Sequence, residues 1–410
     1  MSRRRTTAPT DPPFAGDTVT LRAGEIVFGG ATLSHLDDGR VVFLSFAAPG
    51  ELVEATIDRV HGDYLEASVA TVLEPSPDRV EPRCPLFGEC GGCQLQHISY
   101  EAQLRAKEAV VREQLRRIGH LEGDFVRPIV GAANPWAYRN HLRLSTGNNF
   151  GDVGFISRRG RRLLKVESCP IAEPWIDAVL PVLQGHGAGL HQVQVRHSAT
   201  TGSHMITPAI AAIPHETGQT SYIEEMGGHR FQVGASAFFQ VNHAQAAEMM
   251  RLVGEALPAR GEVFVDGFAG VGTFAVLFAH RFERVIAIEE SHSATRDADV
   301  NLADTPNVEM HAGKVEDLLP LLDASPDAIV LDPPRPGCHP RVIAAIVEFR
   351  PSVVVYVSCN PATLARDLRL LVDGGYTLDS VTPLDMFPQT GHIECVARLS
   401  LADPAPEPAE

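Results

Sequence analysis

The sequence predicts an α/β protein whose C-terminal part is a Rossmann-like domain, preceded by an OB-like β-barrel and a central α/β domain. Three observations carry that prediction. Buried-type strands alternate with helical segments after Gly261, a glycine-rich turn follows the first of those strands, and β-rich segments separated by turn residues fill the beginning of the chain.

Residues 1–14 are polar and proline-bearing, and are expected to be disordered. Arg3, Arg4 and Arg5 are followed by no apolar stretch, so no secretory signal is read. No run of ~18 apolar residues predicts a transmembrane helix, which leaves a cytoplasmic chain with no membrane partner as the expectation.

Residues 15–76 read as the barrel. Thr18-Val19-Thr20-Leu21, Arg40-Val41-Val42-Phe43-Leu44, Leu52-Val53-Glu54-Ala55-Thr56-Ile57 and Leu65-Glu66-Ala67-Ser68-Val69 are strand-like, and Asp37-Asp38-Gly39 is a hairpin turn. Residues 77–228 are assigned to the central domain. A proline-rich linker and a cysteine segment lead into an amphipathic helix over residues 100–118, with Leu104, Val111, Leu115 and Ile118 apolar and Gly119 just beyond its end. Val193-Gln194-Val195 is a strand of the same domain.

Residues 229–400 make the third domain. Val263-Phe264-Val265, Val285-Ile286-Ala287-Ile288, Ala328-Ile329-Val330-Leu331 and Val353-Val354-Val355-Tyr356-Val357 are continuous apolar runs, the pattern of a parallel sheet covered on both faces. Residues 401–410, rich in Pro, Ala and Glu, are expected to be a loose tail.

With 35 Lys and Arg against 51 Asp and Glu, the net charge is −16, a poor global match to a polyanion. Nucleic-acid binding would need local positive charge. Arg158, Arg159, Arg161 and Arg162 form one cluster, and Arg112, Arg116 and Arg117 another.

Asp266-Gly267-Phe268-Ala269-Gly270-Val271-Gly272-Thr273 lies between a strand and an apolar helix, where glycines let a backbone approach a ligand. The next strand ends at Glu289, where such folds place an acid for ribose hydroxyls. In a class I methyltransferase that ribose belongs to S-adenosylmethionine; a dinucleotide dehydrogenase is the competing ligand reading. Leu331-Asp332-Pro333-Pro334-Arg335 closes another strand with an extended loop. Arg335 stands where amino-group methyltransferases carry an aromatic, which disfavours exocyclic-amine methylation.

Ser358-Cys359-Asn360-Pro361 ends a strand and opens a helix, with Asn360 suited to the cap and Pro361 to the first turn. Cys359 then sits at the edge of the sheet where ligands bind, and the helix terminus favours its thiolate. A thiolate there suits carbon 5 of uracil, a poor nucleophile until carbon 6 has been attacked. A base must then remove the carbon 5 proton. Pro388-Gln389-Thr390-Gly391-His392-Ile393-Glu394 offers Glu394 and His392 as candidates, Glu394 in an apolar run that would raise its pKa.

Seven cysteines, an odd number without a signal peptide, argue against a disulfide framework. Cys84, Cys90 and Cys93 lie in one glycine-rich loop, and Cys169, in Glu167-Ser168-Cys169-Pro170, is the natural fourth of a metal-binding set. Four thiolates suit iron–sulfur or zinc; the spacing is not that of paired CxxC hooks.

These segments together resemble the RNA uridine-5-methyltransferases that act on tRNA or on large-subunit ribosomal RNA, over residues 17–399. The cysteine segment with Gln96, His97 and Tyr100 resembles that family's iron–sulfur motif, so the resemblance implies Cys84, Cys90, Cys93 and Cys169 as ligands of a 4Fe–4S cluster. The barrel looks like its TRAM domain, an RNA-binding module. The resemblance implies Cys359 as nucleophile, Glu394 as base, and Gln240 (in Phe238-Phe239-Gln240-Val241-Asn242), Phe268, Glu289 and Asp332 as contacts to S-adenosyl-L-methionine. Two departures are noted. Ala269 stands where members often carry Cys, and Lys314 stands where an acid or amide often faces adenine, a partner from which lysine can accept no hydrogen bond.

The expectation is therefore methylation of carbon 5 of a uridine in RNA, 23S rRNA favoured over tRNA, by a monomer. The alternatives are an RNA-binding or RNA-folding protein with an inactive methyltransferase domain, and a DNA cytosine-5-methyltransferase.

Overall fold

The computed structural model describes residues 14–147, 150–160 and 162–402. Most of the expected disordered N-terminus, Arg161 and the tail from residue 403 lie outside the described residues. The chain divides into two compact units.

The first unit takes in the described residues up to Gly88, Gly92–Ala106 and Gln389–Gly391. Its strands are β1 (Thr18–Arg22), β2 (Thr32–His35), β3 (Val41–Ser45), β4 (Leu52–Val60) and β5 (Tyr64–Glu74). They pair in the order β1-β4-β5-β3-β2, antiparallel except for β3 with β5. Side chains alternate along each strand, so Leu21, Val42, Leu44, Val53, Ala55, Ile57, Leu65 and Ala67 share one buried face. The edge strands β1 and β2 approach each other, curling the sheet into the expected barrel. The expected turn is present: Gly39 has φ 88° between β2 and β3, and Leu36 N–H donates to the Arg40 carbonyl at 3.0 Å. The fully buried Glu51 receives Ala48 N–H at 2.8 Å and Arg79 Nη2 at 2.7 Å, tying the segment after β5 to the barrel. Gln389 donates its N–H to Gln103 Oε1 at 3.0 Å and accepts from Gln103 Nε2 at 2.9 Å.

Helix α1 (Tyr100–Arg117) begins in the first unit and ends in the second, within a residue of the span its apolar spacing predicts. The second unit continues with β6 (His141–Thr146), β7 (Val153–Ile156), β8 (Leu163–Lys165), α2 (Pro174–Leu183), β9 (Gln192–His197) and β10 (His204–Thr207). Among the described residues these strands form an antiparallel sheet in the order β10-β9-β6-β7-β8, and β11 (Ser221–Met226) pairs with β12 (His229–Gly234) as a hairpin.

After α3 (His243–Ala256) come β13 (Gly261–Gly267), α4 (Thr273–Phe278), β14 (Phe282–Glu289), α5 (His292–Asn301), β15 (Val308–Ala312), α6 (Val315–Leu318), β16 (Ala328–Leu331), α7 (Pro340–Phe349), β17 (Val353–Ser358), α8 (Pro361–Asp373), β18 (Tyr376–Leu384) and β19 (Glu394–Leu401). Among the described residues seven strands form one sheet, ordered β15-β14-β13-β16-β17-β19-β18. β13 to β17 are parallel, as their apolar runs predict. The parallel sheet expected from sequence gains an antiparallel edge, because β19 runs antiparallel to both β17 and β18. A loop of residues 385–393 is too short for a crossover helix, so β18 and β19 join as a hairpin rather than a parallel unit.

The arginine cluster on α1 is locally neutralised. Arg112 pairs with Glu108 and Asp124, and Arg116 with Glu113. In the other cluster Arg162 pairs with Glu89. Among the described residues no helix is long and apolar enough to cross a membrane.

Candidate active site

The loops after β13, β14, β16 and β17 leave the same carboxyl edge of the sheet, the edge where open α/β sheets bind ligands. Because β19 is antiparallel, its first residue, Glu394, is delivered to that edge as well. Ser358 of β17 is paired with Cys395 of β19. Cys359 is therefore the next residue out along β17, and Glu394 the next along β19.

Cys359 is half-buried and immediately precedes α8. Asn360 caps that helix as expected, accepting Ala362 N–H at 3.1 Å. Its side-chain amide also donates to the Arg335 carbonyl at 3.1 Å, and Thr363 Oγ1 donates to the same carbonyl at 3.2 Å. The Pro-Pro loop is thus fastened to the turn that carries Cys359. Buried Asp367 adds a second fastening, accepting Tyr356 O–H at 2.7 Å and Cys338 N–H at 2.9 Å.

The helix terminus does not give Cys359 the lowered pKa expected from sequence. Burial raises the thiol to about 11, with help from the charges of Glu394 and Asp332 and against the opposing charge of Arg335. Burial first, and then the two carboxylates, outweigh a helix end whose effect is confined to its first turn. Glu394 is buried, and burial followed by the charge of Asp332 holds its carboxyl well above the usual range. Desolvation of its half-buried carboxyl pushes Asp332 up to about 7. His392 goes the other way: burial, then Arg335, Lys107 and Arg139, lower it to about 4, so its ring is neutral near pH 7.

The glycine-rich turn is braced by two acids. Asp266 is fully buried and accepts Ala275 N–H of α4 at 2.9 Å through Oδ2. Its Oδ1 is buried and has no hydrogen-bond partner among the described residues. Burial, together with Asp332 and Glu289 and against the Ala275 bond, pushes it up to about 8. Glu289 accepts Gly270 N–H at 2.8 Å and Ser291 N–H at 2.7 Å, leaving further lone pairs on both oxygens. Phe268 has φ 67°, a left-handed conformation that costs a non-glycine residue energy and that clusters at ligand sites.

Gln240 precedes α3, and its carbonyl accepts Asn140 Nδ2 at 3.4 Å. Its Oε1 is buried without a partner among the described residues. Lys314 is exposed just after β15, at the start of α6. Of the expected site residues, Cys359, Glu394 and Asp332 thus lie within electrostatic reach of one another, and Asp266 joins Asp332 to Glu289. The sequence pattern assigns Asp266 no role; its place near the end of the buried strand β13 is the signal that points to it.

Cys84 and Cys93 belong to the first unit, Cys90 and Cys169 to the second, and all four are half-buried. Among the described residues no group of three or more His, Cys, Asp or Glu side chains is arranged to hold a metal ion. The iron–sulfur expectation therefore rests on the sequence motif.

Comparison with known proteins follows the same division. The TRAM domain family matches residues 18–70, and the tRNA (Uracil-5-)-methyltransferase family matches residues 314–401, which hold Asp332, Cys359 and Glu394. A protein of Halalkalibacterium halodurans named as an RNA methyltransferase is 34% identical, with 95% of this chain and 98% of the relative covered. One of Gloeobacter violaceus, named likewise, is also 34% identical at 95% and 98% coverage. The crystal structure of Pyrococcus abyssi tRNA (uracil-54, C5)-methyltransferase in complex with S-adenosyl-L-homocysteine superposes with a TM-score of 0.72. It covers 93% of this chain and 100% of its own at 24% identity, which establishes a shared class I methyltransferase fold. With relatives aligned over nearly their whole length, the chain belongs to the RNA (uracil-5-)-methyltransferase family and is an enzyme of that class.

Proposed function

We propose that this enzyme methylates carbon 5 of a uridine in RNA through a covalent bond between Cys359 and carbon 6, with S-adenosylmethionine as methyl donor. The observation that carries the reading is the placement of Cys359 and Glu394 at neighbouring positions of antiparallel strands on the ligand-binding edge. The buried Gln240 Oε1 and Asp266 Oδ1, unpartnered among the described residues, fit a ligand rich in donor groups. With Phe268, Glu289 and Asp332 they would hold the donor, which supplies when bound an electrophilic methyl on a positively charged sulfur. The division into an RNA-binding barrel (15–76), a central domain (77–228) and a catalytic domain (229–400) is part of the same proposal.

The target uridine has to leave its stack for carbon 6 to be reached. Cys359 Sγ, as thiolate, bonds to carbon 6, and the electrons of the ring double bond move to an enolate. Carbon 5 then takes the methyl group, with cleavage of the donor's sulfur–methyl bond. Glu394 accepts the carbon 5 proton, the Sγ–carbon 6 bond breaks, and the ring double bond and the thiolate return. The raised pKa values of Cys359, Glu394 and Asp332 describe a ligand-free site that keeps its protons. A bound cation would favour their charged forms.

The substrate proposed is 23S rRNA in preference to tRNA, on the barrel together with the cysteine segment. Both RNAs, unmodified, are incubated with the enzyme and S-adenosylmethionine, and nucleosides are read by mass spectrometry. New 5-methyluridine that disappears with Cys359→Ala supports the chemistry, and the RNA that gains it identifies the substrate. No methylation of either RNA, with cofactor binding confirmed, would leave an RNA-binding role. Iron and acid-labile sulfide in anaerobically purified protein, both lost in Cys93→Ser, would support the cluster; their absence would remove it.

A further inference from the structure

The segment that follows β18 is held from three directions. Asn242 Nδ2 donates to the Met386 carbonyl at 3.1 Å, Lys107 Nζ to the Phe387 carbonyl at 3.1 Å, and Tyr138 O–H to the Pro388 carbonyl at 3.0 Å. Three consecutive carbonyls of a loop are thus each taken by a side chain from a different part of the second unit. Asp385 N–H donates to the Val130 carbonyl at 2.9 Å and completes the clamp.

Lys107 is the charged member. It is 2% exposed, its ammonium lies 2.5 Å from Asp385 Oδ1, and Asp385 is fully buried. Asp385 Oδ2 has no hydrogen-bond partner among the described residues. Taking an ammonium and a carboxylate out of water is costly, and their attraction only roughly offsets that cost, so a buried pair is a poor stabilising device. What it does supply is register: an ion buried at one depth can be satisfied in only one arrangement of its partners.

The register in question is that of the expected base. Leu384, the last residue of β18, is paired with Glu394, the first of β19. Asp385 is therefore the first residue beyond that pair, and the point at which it is fixed governs where Glu394 enters the site. The Phe387 ring, whose carbonyl Lys107 holds, packs edge-on against the His392 ring with centroids 5.8 Å apart. The same ammonium contributes to keeping His392 neutral.

We infer that Lys107 is a positioning residue for proton removal from carbon 5, acting through Asp385 and Phe387 on the entry of Glu394 into β19. The inference rests on the reaction proposed above and assigns Lys107 to one step of it. Formation of the Cys359 bond and methyl transfer come before Glu394 is needed. Misplacing Glu394 therefore slows the last step and lets the covalent protein–RNA species accumulate.

The test compares the wild-type chain with Lys107→Met and with the double variant Lys107→Met/Asp385→Leu, on ordinary uridine-containing RNA. The double variant leaves no uncompensated buried charge and keeps the test valid if the single variant fails to fold. The expected result is a melting temperature and KM near wild type, kcat lower by roughly 10²-fold, and a denaturant-resistant protein–RNA adduct absent from the wild type. A folded double variant with wild-type kcat, or with reduced kcat and no adduct, would overturn the assignment. If the wild type itself makes no 5-methyluridine on any RNA tried, the reaction beneath the inference falls and the inference with it.

Discussion

Ser358 and Cys395 face each other in the ladder between β17 and β19, and this pairing sets the expected nucleophile and base one step further out, at the sheet's edge. The two roles can be separated experimentally. Cys359→Ala is expected to form no denaturant-stable complex with 5-fluorouridine RNA and no 5-methyluridine. Glu394→Gln is expected to retain that complex while turnover falls by about 10²–10⁴-fold, the usual range for loss of a general base. Gel analysis of the complex beside nucleoside mass spectrometry checks both.

Asp266 gives a pH signature to the ligand-free protein. Its carboxyl ionises near 8 in the fold and at about 3.9 in an unfolded chain. Between those values the folded state holds the extra proton, so this group's contribution is full below about pH 4 and is lost as pH rises toward 8. Asp266→Asn keeps an acceptor for Ala275 N–H and removes the titration. The variant's melting temperature is expected to gain on the wild type from pH 5 to 8 and to level off above. A thermal-shift series across that range, read as the difference between the two proteins, provides the check.

Gly391 belongs to the first unit, and a Cβ there would stand 2.3 Å from the Gly29 carbonyl carbon and 2.5 Å from Gly30 N. Both neighbours are backbone, so neither can yield as a side-chain tip would. Gly391→Ala is expected to cost about 1–3 kcal/mol. The measurement is the urea midpoint against the wild type.

Asn360 both caps α8 and holds the Arg335 carbonyl. Asn360→Ala is expected to lose about 1 kcal/mol from the cap. The larger effect is expected in kcat, because the loop carrying Asp332 and Arg335 loses one of its fastenings to the turn that carries Cys359. Asn360→Asp retains the cap but not the amide donor, so steady-state kinetics of the two variants separate the contributions.

Much of this architecture was legible in the residue pattern. The apolar runs of β13, β14, β16 and β17 announce a sheet covered on both faces, and Asn360-Pro361 announces the start of α8. β15, Val308–Ala312, escaped because as an edge strand it is only half covered and carries Glu309 and His311 among its five residues. The antiparallel turn at the other edge escaped because β19 reads as any apolar strand, and its direction is fixed by the short loop before it. The electrostatics of Cys359 were misjudged for a related reason. The helix after it is local and visible in sequence, whereas its burial, and after that the approach of Asp332 and Glu394, arise only from the order of the sheet. The pairing of Arg112 and Arg116 with Glu108, Asp124 and Glu113 was open to helical-spacing arithmetic, apart from Asp124, which lies beyond the helix.

The position of β19 between β17 and β18 has a consequence for how the molecule opens. Among the described residues β18 pairs within the sheet with β19, and outside it Val381 and Leu384 bridge Val126 and Val130, so the hairpin joins or leaves β17 together with that segment. A fluctuation that peels it away separates Glu394 from Cys359 and spares the parallel strands with their glycine-rich turn. Such cooperative segments open at free energies below that of global unfolding. If Glu394 and Cys359 act as proposed, competence for turnover follows the closed population of this hairpin and its anchors, and loss of activity on heating is expected to precede loss of the parallel core.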